Sequence, residues 1–206
     1  MVGAGAEYEK WETSGRANGY NAAAIAFHWT MALLIFAAFP LGLYMHDMPL
    51  SPDKLRLYSY HKWIGVTAVL LTCVRALWRS FNHAPPSPGS LSRWEKVVAP
   101  AVHYLLYALM FAAPISGWLL SSAQGFQTVW FGIIPLPDLL GRDKAMAHLL
   151  EQVHSTLNYF LLVLVAGHTI AALRHHFVTH DDVLAQMLPF LRRRLISRRC
   201  DQKVYK

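Results

Sequence analysis

Four histidines stand out by position. Two of them, His154 and His168, lie fourteen residues apart within LLEQVHSTLNYFLLVLVAGHTIAAL, residues 149–173. That stretch is long and apolar enough to cross a bilayer as a helix, which takes about 20 residues. Fourteen residues is two heptads, so in a left-handed four-helix bundle both imidazoles face the core. At the helical rise they are separated by about 21 Å along the axis. One then falls near each face of a hydrocarbon layer about 30 Å thick. Ionisable residues inside a span are rare and usually functional. Two on one face, at two depths, point to two stacked ligand sites.

The rest of the chain supplies the helices that such sites need. It is 54% hydrophobic and 15% charged over 206 residues, with a mean hydropathy of +0.26, which is membrane composition. Spans are predicted at about 21–44, 60–78, 97–120 and 149–173. The expected fold is all-α, an integral membrane four-helix bundle forming one domain, and no internal repeat is evident. A polar lead-in precedes the first span, and it does not read as a signal peptide. Residues 46–56 read as a short loop, and a Pro- and Ser-rich loop follows the second span. Between the third and fourth spans, FQTVWFGIIPLPDLLG is apolar but broken by Gly132, Pro135 and Pro137. It is too short to span and reads as a loop on or dipping into the interface. The formal net charge is +7. Fourteen of the nineteen Lys and Arg fall on the side shared by the N-terminal segment, the second connection and the Arg-rich tail. Topology explains this basicity better than nucleic acid does, and it predicts both termini in the cytoplasm. The tail reads as a topology signal or a contact with anionic lipid.

Depth then sorts the histidines. His61 opens the second span on the outer side, level with His154. His28 opens the first span on the inner side, level with His168. Each pair joins the fourth helix to a different partner. Bis-imidazole ligation of a haem iron needs two neutral imidazoles on facing helices, one on each side of the ring. Cys73 and Cys200 form no CxxCH attachment motif, so haem held here is non-covalent. Full coordination leaves no position for oxygen, which suits electron transfer. Haem propionates need cations. Arg75 lies fourteen residues after His61, at the depth of His168, with Arg79 one turn further. Lys62 and Arg56 serve the outer level. Gly65, one turn after His61, leaves room for a flat cofactor. His103 is unpaired at its depth and reads as structural or as a cofactor-edge contact. His46, His83, His148 and His180 read as exposed loop residues, and Trp29, Trp63, Trp78, Trp118 and Trp130 as interface aromatics.

Several of these residues together resemble the bacterial cytochrome b561 family of four-helix dihaem membrane cytochromes. They are His28-Trp29, His61, the Arg75/Arg79 pair, the Pro-rich loop, Trp130-Phe131-Gly132, and His154 with His168 ahead of His175-His176. The resemblance covers about residues 20–190. It implies two b-type haems on the pairs His28/His168 and His61/His154, in the bacterial inner membrane. It also implies an oxidoreductase that passes electrons from periplasmic superoxide to ubiquinone. His175, seven residues after His168, is the candidate quinone contact and proton source, and Arg75 and Arg79 serve propionate or quinone. The outer cations Lys54, Arg56, Lys62, Arg142 and Lys144 offer weak attraction for an anion, because Asp53, Asp138, Asp143 and Glu151 lie among them. The alternative is the cytochrome b anchor subunit of a larger dehydrogenase or hydrogenase, with a protein redox partner. A metal transporter is disfavoured, because no Asp or Glu lies mid-span.

Overall fold

The computed structural model describes residues 20–82, 92–181 and 183–188. The acidic part of the lead-in, the Pro-rich loop with His83, Cys200 and the Arg-rich tail lie outside the described residues. Four helices dominate: α1 (Ala22–His46), α2 (Pro52–Phe81), α3 (Arg93–Gln124) and α4 (Lys144–Arg174). All four are long and apolar enough to cross a membrane. Consecutive helices pack against each other, α1 on α2, α2 on α3 and α3 on α4.

Three helices begin earlier than hydropathy predicts, because their first turns are polar and held by capping. Ser51 caps α2 by accepting from the Lys54 amide, with Pro52 at the first helical position. Asp53, Lys54 and Arg56 therefore belong to the helix and not to a loop. Ser92 and Glu95 form a reciprocal capping box at the start of α3. Asp143 accepts from the amides of Ala145 and Met146 at the start of α4, which puts His148 on that helix.

The segment between α3 and α4 is more than a loop. Gly125, at φ 79°, ends α3 in the left-handed region that glycine tolerates. The chain then forms a short antiparallel hairpin, β1 (Val129–Trp130) with β2 (Ile134–Pro135). Its turn uses left-handed Phe131 and Gly132, at φ 50° and 72°. Phe131 can hold that unfavourable conformation because its ring lies against Trp63 and Trp130. The hairpin is tied to α2: Trp63 Nε1 donates to Val129 O at 2.7 Å, and Trp130 Nε1 to Thr67 Oγ1 at 3.2 Å.

Little of the bundle is packed core. Met31, Ala68, Leu109, Met110 and Leu161 form the buried cluster, joined by Leu34, Leu71, Leu106 and Leu164. Ala68 is seven residues from both His61 and Arg75, and Leu161 is seven from both His154 and His168. The apolar plug thus sits midway between the two histidine levels. Leu33, Phe36, Leu77, Val163 and Ile170 point outward and are well exposed, as lipid-facing side chains must be.

Candidate haem-binding sites

The level nearer the hairpin brings His61 of α2 and His154 of α4 together, with ring centres 6.2 Å apart and planes at 86°. A cavity of about 710 Å³ opens there, lined among others by both histidines, Gly42, Gly65, Lys62 and Asn158. That is ample for a large planar ligand. Each imidazole backs into a notch on the preceding helix. A Cβ at Gly42 would meet His61 Cε1 at 3.2 Å, and one at Gly117 would meet His154 Cε1 at 2.8 Å. The absence of a side chain on α1 and α3 therefore makes room for the rings.

Hydrogen bonding orients His154. Its Nδ1 donates to Ala113 O at 2.9 Å and lies 3.0 Å from Ser116 Oγ. A carbonyl only accepts, so the proton sits on Nδ1 and Nε2 keeps its lone pair. The Asn158 amide nitrogen donates to Nε2 at 3.2 Å. The Nδ1 of His61 is buried and has no hydrogen-bond partner among the described residues.

The tail-end level collects His28 of α1, Arg75 of α2, His103 of α3 and His168 of α4. The rings of His28 and His168 are again 6.2 Å apart, at 57°. Arg75 Nη2 donates to His28 Nδ1 at 3.3 Å, and its guanidinium lies over the Tyr107 ring. Arg79 lies over the Tyr20 ring. His103 is not unpaired: its ring centre is 5.3 Å from that of His168. Spacing along the chain does not give the direction of a side chain around the helix axis, which is why the sequence leaves His103 without a neighbour.

Past α4 the chain makes a π-helical turn, His175–Thr179, and a 3₁₀ turn, Leu184–Gln186. His175 is buried there. Its Nδ1 donates to Asp181 Oδ2 at 2.6 Å, and Glu95 Oε1 lies 3.6 Å from Nε2. Glu95 also pairs with Arg174 at 3.2 Å. The returning chain is pinned where Trp29 Nε1 donates to Met187 O at 2.9 Å. Sequence spacing singled out His175; its two carboxylate neighbours come from α3 and from the turn, and no local signal marked them.

Among the described residues, no group of three or more His, Cys, Asp or Glu could hold a metal ion by itself. What the bundle offers is paired imidazoles at two levels.

The sequence pattern described as prokaryotic cytochrome b561 matches residues 19–190. The chain belongs to the prokaryotic cytochrome b561 family. It is 34% identical over 170 residues to "Cytochrome b561 homolog 2" of Escherichia coli K12, covering 82% of this chain and 90% of that one. It is 27% identical over 180 residues to "Probable superoxide oxidase CybB" of Yersinia pestis, covering 82% and 96%. "Cytochrome b561 homolog 1" of E. coli K12 is 24% identical over 179 residues, covering 84% and 98%. Membership makes this a multi-pass bacterial membrane protein that binds haem b and transfers electrons.

Proposed function

We propose that the chain is a single-domain dihaem cytochrome of the inner membrane that carries electrons from periplasmic superoxide to ubiquinone. Both termini are cytoplasmic in this reading, so the hairpin end is periplasmic. The observation that carries it is the recurrence of one geometry at two levels: two imidazole pairs, each with ring centres 6.2 Å apart. Metal–imidazole bonds of about 2 Å on either side of one iron put the ring centres roughly 6 Å apart. The 710 Å³ cavity and the Gly42 and Gly117 notches also fit a flat macrocycle at the hairpin end.

His61 and His154 hold the periplasmic haem, and His28 and His168 the cytoplasmic one. Each iron supplies reversible one-electron chemistry when bound. The protein's own part at His154 is the tautomer: the Nδ1–H donates to Ala113 O. Nε2 can ligate once the Asn158 amide, which donates to it at 3.2 Å and to His154 O at 2.7 Å, keeps only the second bond. At His28 the same logic moves Arg75. Ligation through Nε2 puts the proton on Nδ1, which then cannot accept from a guanidinium. Arg75 must turn to another acceptor, and a propionate carboxylate suits it; Arg79 stands one turn away.

The donor half of the reading draws on the Yersinia pestis relative's name. Two superoxide ions give up one electron each and leave as dioxygen; the quinone takes those two electrons and two protons. Lys62 is the cation on the cavity wall, although its Nζ donates to Phe126 O. Lys54 is committed to the carbonyls of His46 and Met48. On the cytoplasmic side His175 is the quinone contact, and it sits beside two carboxylates that can return its proton. The deciding test is a pyridine-haem count with redox difference spectra on the purified chain, then on single histidine variants. Two low-spin haems are expected. His61→Ala or His154→Ala should lose one, and His28→Ala or His168→Ala the other. His175→Ala should keep both haems and slow quinone reduction. Superoxide reducing the haems no faster than background would eliminate the donor.

A further inference from the structure

The four helices form two hairpins, and the hairpins repeat one pattern. A shift of 75 residues carries His28 onto His103, Leu34 onto Leu109, Phe36 onto Phe111, Ala37 onto Ala112, Ala38 onto Ala113 and Gly42 onto Gly117. A shift of 93 carries His61 onto His154, Leu71 onto Leu164 and Arg75 onto His168. The tertiary contacts repeat as well. The histidine of each second helix fills the glycine notch of its first helix, His61 at Gly42 and His154 at Gly117. At the tail end, His28 meets Arg75 in the first hairpin and His103 meets His168 in the second. A fully symmetric bundle would bring four imidazoles to that level. Arg75 stands in one of those places, so a single iron site remains and one imidazole is left over.

We propose that this leftover imidazole, His103, is a positioning residue that sets the orientation of the His168 ring at the cytoplasmic haem. The proposal rests on the ligand pair His28/His168 given above. Distance separates the two roles. His28 stands 6.2 Å from His168, the spacing of two rings that share an iron. His103 stands at 5.3 Å with its plane at 73°, an edge-to-face contact with no room for iron between. The ring of an axial histidine is free to rotate about its bond to the metal unless something holds it. His154 is held by Ala113 O; for His168 no hydrogen bond from the ring is seen among the described residues, and the His103 edge takes that part. Tyr107, one turn further along α3, lies under the Arg75 guanidinium, so the same helix face fixes both neighbours of the site. His103→Phe keeps a ring of similar size at this position, so the two variants together separate loss of packing from loss of ring orientation.

The test uses His103→Ala and His103→Phe in the full-length chain with its haems bound. Haem stoichiometry and low-temperature electron paramagnetic resonance are read together, and His168→Ala identifies the cytoplasmic signal. Both variants should keep two haems per chain. His103→Ala should shift the cytoplasmic low-spin signal alone, because ligand-plane orientation governs it. His103→Phe, which keeps a flat ring edge, should restore the wild-type position. An unshifted signal in His103→Ala would overturn the positioning role. Loss of the cytoplasmic haem in His103→Ala, with retention in His28→Ala, would make His103 the ligand and overturn the underlying pair. Loss of both haems in every variant, with the wild type intact, would show a purely structural residue and would also overturn the proposal.

Discussion

Gly117→Ala tests the periplasmic site most directly. The added Cβ would lie 2.8 Å from His154 Cε1, 3.2 Å from Nδ1 and 3.5 Å from Nε2. Ordinary carbon–carbon contact begins near 3.5 Å, so the ring must retreat by roughly 0.7 Å. It cannot do so freely, because Nδ1 is bonded to Ala113 O at 2.9 Å, one turn before the glycine on the same helix. Overpacking of this kind costs about 1–3 kcal/mol, and a weakened hydrogen bond adds about 1 kcal/mol. The sum, about 2–4 kcal/mol, corresponds to haem binding at this level weaker by about 30-fold to several hundred-fold. Gly42→Ala should act in the same direction and less severely, since its Cβ would stand 3.2 Å from His61 Cε1. The assay is haem retained per chain during titration with a competing apo-haemoprotein, followed by low-spin absorption bands at each stage. Two haems retained in Gly117→Ala with wild-type affinity would refute the notch argument. Equal loss at both levels would refute its assignment to His154.

Two further changes probe what surrounds the sites. Ser116→Ala should leave haem content unchanged, because Ala113 O still accepts the Nδ1 proton; a lost haem would mean that the hydroxyl sets the tautomer. Trp63→Phe removes the 2.7 Å bond to Val129 O, worth about 1 kcal/mol. It should speed proteolysis within residues 125–141 while both haems stay bound, and a protease pattern identical to wild type would show that ring packing alone secures the hairpin.

Spacing along the chain carried much of this protein. Apolar length predicted four helices, because continuous apolar stretches of about 20 residues match a bilayer as helices, which close their backbone hydrogen bonds within the segment. Fourteen-residue spacing placed His154 and His168 on one face at two depths, because the helical rise is constant. The matched depths of His28 with His168 and of His61 with His154 followed from helix direction, and both pairs meet in the bundle. The helix starts at Pro52, Arg93 and Lys144 were hidden from hydropathy, since capping acts through polar side chains. Tertiary structure alone decided what lies across from each ring. Depth is a coordinate along one axis, whereas contact also depends on rotation about it and on which helices are neighbours. That is why His103 reads as unpaired from spacing, although its ring centre lies 5.3 Å from that of His168. It is also why Gly42 and Gly117 carried no local sign of the rings they admit. The repeated hairpin stayed out of sight for a related reason: connections of unequal length give its two halves different offsets, and only the pairing of α1 with α2 and α3 with α4 aligns them.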